Sequence, residues 1–230
     1  MRQSERLVAI IFSLVVCGCA TTTVRNAESV EIAWTTPEHK VVLIEPDIEL
    51  SELTAGGVTE PRADWTETAR SLIDAHLQNT LSERQAQLVN AQALTDPHEI
   101  QIARLHSAVG LSILTHLYLP NYELPNKGDA LDWTLGSGAN VMQTNYSADY
   151  GLFVYIRDSY STTGRALMMV GAALFGVAVQ GGTRVGFASL VDLRTGNIVW
   201  FNRIANATGD LTTAEPATRT MDTLLEGLPL

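Results

Sequence analysis

Residues 150–161 read YGLFVYIRDSYS. The stretch is dense in aromatic, aliphatic and β-branched side chains and reads as a buried strand. Downstream, residues 183–193 and 198–205 are two further apolar runs. They bracket Arg194-Thr195-Gly196-Asn197, a β-hairpin turn in which Gly196 supplies a positive φ. Upstream, KVVLIEP at 40–46 is a β-branched strand stopped by Pro46, and QAQLVNAQ at 85–92 is a further short strand.

Helices separate these strands. Asp64 is placed as an N-cap with Glu67 three residues later. Trp65, Ala69, Leu72, Ile73, Leu77 and Leu81 then recur at helical spacing. Asp96-Pro97-His98-Glu99 is a helix start, with cap, proline and acid in order. Its expected apolar face is Ile102, Leu105, Val109, Ile113 and Leu117. A last helix begins near Pro216, with Met221, Leu224, Leu225 and Leu228 as its buried stripe. The pattern predicts an α/β (α+β) fold: a mixed sheet of about five strands flanked by helices, in a single domain over 40–230. Residues 49–65 and 120–138 are read as loops, with Ser137 capping a short helix at 139–147.

The N-terminus has the parts of an export signal. Arg2 and Arg6 precede an apolar stretch from Leu7 to Val16, broken only by Ser13. That stretch is too short for a bilayer span, which needs about 20 residues. Val16-Cys17-Gly18-Cys19 follows and resembles the lipobox of bacterial lipoproteins. The small Gly18 stands before Cys19, whereas the bulky Val16 stands before Cys17. The resemblance therefore implies a signal over 1–18, cleavage after Gly18, and Cys19 carrying diacylglycerol and an N-acyl chain. Ala20 follows, which by the sorting habit of such lipoproteins implies the outer membrane. Residues 19–39 are read as the acylated terminus, a tether (20–28) and a short edge strand formed by Val30, Ile32 and Trp34.

The chain has 230 residues and a formal net charge of −10. Without residues 1–18, which hold Arg2, Arg6 and Glu5, 13 basic groups face 24 acidic ones, a net −11. That balance opposes nucleic acid, whose binding depends on Lys and Arg displacing counterions. It also opposes adsorption to anionic headgroups.

Residues 166–179, ALMMVGAALFGVAV, form an uninterrupted apolar run. As a helix its length of about 21 Å falls short of the roughly 30 Å hydrocarbon core. The expectation is a core helix buried against the sheet; the alternative is a membrane-inserting or oligomer-forming element.

No motif for catalysis stands out. His98-Glu99 lacks the second histidine of HExxH, and Gly136-Ser137-Gly138 lacks the spacing of a nucleophile elbow. His98 and His106 would lie about 12 Å apart along a helix, too far to share a metal. His76 and His116 fall near apolar stripes and read as core or boundary residues. Thr54-Ala55-Gly56-Gly57 reads as a turn. No catalytic, cofactor or metal residue is assigned. Arg62, Trp65 and Trp133 are candidates for a protein-binding surface, because Trp and Arg are favoured interface residues.

Three stretches carry a family resemblance: ELTAGGVTEPRADWT (52–66), ADYGLFVYIRDSYS (148–161) and VGFASLVDLRTGNIVWFN (185–202). They resemble uncharacterised bacterial outer-membrane lipoproteins. They are also similar to a wider group: the curli-secretion lipoprotein (CsgG), penicillin-binding-protein activators and the TolB amino-terminal-like domain. The resemblance implies a non-enzymatic, lipid-anchored, periplasm-facing accessory or docking subunit in envelope assembly, transport or secretion. Its partners would be the outer membrane, an envelope protein and copies of itself. The alternatives are a periplasmic hydrolase, or an oligomeric channel component using 166–179.

Overall fold

The computed structural model describes residues 21–26, 39–83, 87–90, 93–205 and 209–230. Gly18, Cys19 and the edge strand expected at 30–34 lie outside the described residues.

The stretch 150–161 is the spine of the fold. It forms β6 (Tyr150–Ser161), with β7 (Arg184–Asp192) antiparallel on one side from Tyr150↔Asp192 to Asp158↔Arg184. β8 (Ile198–Ala205) pairs antiparallel with β7, and β1 (Thr21–Asn26) pairs antiparallel with β8. On its other side β6 has two successive parallel neighbours. β2 (Lys40–Leu43) pairs with residues 150–152 and β3 (Asp47–Leu53) with residues 155–161. Leu43 faces Leu152 and Asp47 faces Tyr155, so four steps on one strand match three on the other. The extra residue is a bulge in the 44–46 stretch, where Pro46 has no N–H to give. β5 (Gln87–Asn90) flanks β2 in parallel, and β4 (Thr59–Pro61) flanks β3 antiparallel.

The result is a mixed sheet with helices on both faces, as the sequence pattern predicts. Among the described residues, the five strands expected from residue 40 onward are present, and three more make the sheet eight-stranded. One of the three, β1, occupies residues read as tether. The other two, β3 and β4, turn the long loop of 49–65 into a strand, a turn at 54–58 and a second strand.

Alternation along β6 distributes the core. Leu152, Val154 and Ile156 face α1 (Ala63–Glu83) and α5 (Ala214–Leu224). Phe153 and Tyr155 face α2 (Pro97–Tyr118) and α3 (Asn140–Tyr146). α1 buries Ala69, Ile73, Leu77 and Leu81, the residues its spacing selects. Asp64 lies inside its first turn, with its carboxylate taken by Arg62. α5 is fastened by Asn202 on β8, whose buried amide donates to the carbonyls of Thr223 and Leu224, both at 2.9 Å. Those carbonyls belong to the orphaned last turn of a helix.

α2 is rotated relative to its expected face. Asp96 caps it, accepting from the amides of His98 and Glu99. Leu105 is exposed, and His106 and Gly110 take the buried stripe with Ile102, Ile113 and Leu117. The reason is Phe187 on β7. A Cβ at position 110 would stand 2.0 Å from its ring, so only glycine lets the helix settle there. Ser137 opens a short 3-10 turn before α3, but its hydroxyl caps nothing; Gly136, at φ 73°, makes the entry.

Candidate functional site

Segment 166–179 does not join the core. Residues Thr163–Leu174 form α4, which connects the antiparallel neighbours β6 and β7 across the end of the sheet. Thr162 caps it, accepting from the amide of Arg165 at 3.1 Å. Its far end closes with paired amides: Gly176 donates to Ala173 O and Val177 to Ala172 O, both at 3.0 Å. Gly176 has φ 74°, so this is a glycine-terminated Schellman stop.

The helix is well formed, yet it is bare. Leu167 is 70% exposed, Val170 63%, Leu174 81% and Phe175 86%, and Met168 and Val177 are also exposed. The expectation of a core helix is therefore corrected. Both faces of the sheet are already covered by α1, α5, α2 and α3, and α4 stands beyond the sheet end, where no layer remains to cover it.

The base of the projection is braced. Arg165 is buried and donates from Nε and Nη2 to Gln180 O, at 3.0 and 2.5 Å, and from Nη1 to Thr54 O at 3.4 Å. One guanidinium thus ties the start of α4, the segment leading into β7 and the β3–β4 turn together. Gly182 lies so close to β6 that a Cβ there would meet Ser159 O at 1.8 Å.

The structure brings together two of the three surface candidates. The Arg62 guanidinium lies 4.2 Å over the Trp65 ring and pairs with Glu52 and Asp64. Trp65 meets Tyr160 edge-on at 5.9 Å, on the α1 side of the sheet. Trp133 belongs to the opposite layer, where it stacks on His116 at 6.3 Å with Lys127 Nζ 5.0 Å from its ring. These residues do not form one surface.

The polar groups that sequence reasoning did not single out are interior. His106 Nε2 is 2.6 Å from Ser189 Oγ, and the imidazole stacks on Phe153 at 4.7 Å. Both His106 and Ser189 are buried. Burial holds the imidazole neutral, pushing its pKa down to about 3 against a small opposing pull from Asp47. A nucleophile and base sealed under α2 reach no substrate, so the pair is structural. Asp158 and Arg184 form a buried ion pair at 2.5 Å. Tyr160 OH accepts from Arg184 Nη2 and from the Leu211 amide. Glu99 is buried and accepts from Asn145 Nδ2 at 2.7 Å and Tyr146 OH at 3.0 Å. Desolvation and the Glu99 bond push the Tyr146 phenol up to about 12. On the surface, His76 Nε2 meets Asp222 at 2.7 Å and joins α1 to α5.

Among the described residues, no group of three or more His, Cys, Asp or Glu side chains could hold a metal. No helix among them is long and apolar enough to cross a membrane.

No family model and no curated relative matches the chain. Among solved structures it is similar to a PelC dodecamer from Paraburkholderia phytofirmans, at 14% identity and TM-score 0.42, covering 90% of this chain and 94% of that one. A variant PelC dodecamer from the same organism aligns at 12% identity and TM-score 0.39, covering 90% and 95%. An overlap of that size at that identity establishes neither a shared assembly nor a shared activity.

Proposed function

We propose that this chain is a lipid-anchored, non-catalytic envelope protein that works as an oligomeric component of an export channel at the outer membrane and uses the exposed segment 166–179 for its function there. The observation that supports this reading is the exposure of α4 and Phe175 on a braced, well-capped projection. An apolar surface of this kind marks a contact with another molecule or with lipid. It favours the channel component over a docking subunit built on Arg62, Trp65 and Trp133, which sit on two separate layers. The hydrolase reading loses its best pair, because His106 and Ser189 are interior.

In this reading residues 1–18 are removed and Cys19 carries the diacylglycerol and N-acyl chains. The acidic domain then faces the periplasm. Lipid does the holding, since a body of net −11 has no basic patch to offer a headgroup. Two measurements test it. A Cys19→Ser variant should leave the envelope fraction and change mobility on a gel; one that still sediments with the envelope overturns the anchor. Native mass and cross-linking of the lipidated protein in detergent should show a multimer; a strict monomer overturns the channel role.

A further inference from the structure

The sheet register fixes where Thr21, the first described residue, lies. Thr21 pairs with Ala205, Ile204 with Gly186, and Gly186 with Ile156. Thr21 therefore lies in the row that crosses β6 next to Arg157, four residues before β6 ends at Ser161 and three strands across the sheet from it. β1 runs opposite to β8, so Thr21 is the residue of β1 nearest the α4 end of the sheet. Cys19 precedes Thr21 by two residues and stays within about 7 Å of it by chain reach. The opposite end of the sheet carries the turn at 194–197 and, bridged to it at Thr134↔Asn197, the segment that holds Lys127 and Asp132.

From this coincidence of the lipid-bearing end and the bare helix, we propose that α4 and the loop after it enter the bilayer beside the acyl chains, as a second and uncharged membrane contact. The proposal rests on the lipidation of Cys19 in the reading above and is independent of how many copies assemble.

The occupant of the α4 surface is lipid acyl chain rather than a second copy of the chain. Residues 166–179 contain no charged or polar side chain at all. A helix that docks on protein keeps a polar side for water, whereas one that is apolar all round is enclosed by a core or by hydrocarbon. The core of this domain does not enclose it. A twelve-residue helix is about 18 Å long, well short of a roughly 30 Å hydrocarbon layer. It dips into one leaflet and does not span. Lacking Lys and Arg, the segment has no use for anionic headgroups, so its insertion is indifferent to salt and to lipid charge. The buried Arg165 keeps the projection rigid enough to be held at a fixed depth.

The lipidated mature protein provides a clean test, because acylation consumes Cys19 and Cys17 leaves with the signal. Phe175→Cys and Arg194→Cys each then supply one accessible thiol for a fluorophore; both positions are exposed, the second at the far end of the sheet. The labelled proteins are reconstituted into phosphatidylcholine vesicles bearing a nitroxide on the acyl chain. The label at position 175 should shift to the blue and lose most of its emission to the nitroxide, in low and high salt alike, while the label at 194 should keep its emission. If both labels stay bright on vesicle-bound protein, the insertion is refuted and the anchor stands. A label at 175 that is blue-shifted but unquenched is covered by a second copy, which also overturns it. Intact-mass measurement separates the two readings: protein without acyl mass on Cys19 brings down both.

Discussion

Two apolar runs are separated by only ten residues, and they meet opposite fates. Leu152 to Ile156 on β6 is covered on both sides, with Val154 under the α1 and α5 layer and Phe153 and Tyr155 under α2. On α4 and at its end, Leu167, Met168, Val170, Leu174 and Phe175 are exposed, and Met169 and Ala172 are only half-buried. By composition the second run is at least as apolar as the first. The difference lies in neighbours. β6 has strands on each edge and helices on each face, whereas α4 lies past the end of a sheet whose two faces are already occupied. Apolar content says that a segment needs cover; only the register of its neighbours says what covers it.

The contrast can be broken from either side. The largest effect should come from the covered side. Phe187 stacks between Tyr155 at 4.7 Å and Phe201 at 5.4 Å under Gly110. Phe187→Ala should cost about 3–5 kcal/mol, read as a lower urea midpoint at unchanged slope. An intermediate effect belongs to His106. Its folded pKa of about 3 lies below the ordinary imidazole value of about 6.5, so between those values the unfolded chain takes up a proton that the folded one refuses. The stability this neutral imidazole contributes is fully present above pH 6.5. It is lost as the pH falls, at about 1.4 kcal/mol per pH unit. Urea titrations between pH 7 and pH 5 should show that slope in the parent and lack it in His106→Gln; equal slopes would mean the ring is not sealed. The smallest effect should come from the bare side. Leu174→Asp should change stability by less than about 0.5 kcal/mol. A large loss would show that α4 is packed against something in its own fold.

Much of the fold was legible because its elements obey a period. The dense aromatic and β-branched run over 150–161 and the Gly196 turn define three central strands, and Asp96-Pro97 defines the start of α2. The misreadings have local causes. Pro46 reads as a strand stop, yet a one-residue bulge carries the ladder past it into Ile48 and Leu50, whose alternation with Glu49 was the available signal. The α2 face was misplaced because a histidine and a glycine, His106 and Gly110, hold positions that Leu105 and Val109 would claim on hydropathy alone. Residues 21–26 show no apolar period; among the described residues β1 is an edge strand that pairs with β8 alone. Segment 166–179 has no period to read, since it is apolar on every side. The surface candidates Arg62 and Trp65 could be found as a pair, for they are three residues apart at the entrance to α1; nothing in the sequence says that Trp133 belongs to the other layer.

The pairing of β1 with β8 has a mechanical consequence. Six consecutive residues, Thr21 to Asn26, are matched in register along one strand. A pull on the chain ahead of Thr21 acts along the strand axis, so it loads these rungs in shear, together, instead of peeling them one at a time. A load applied through that end would be carried by the whole ladder.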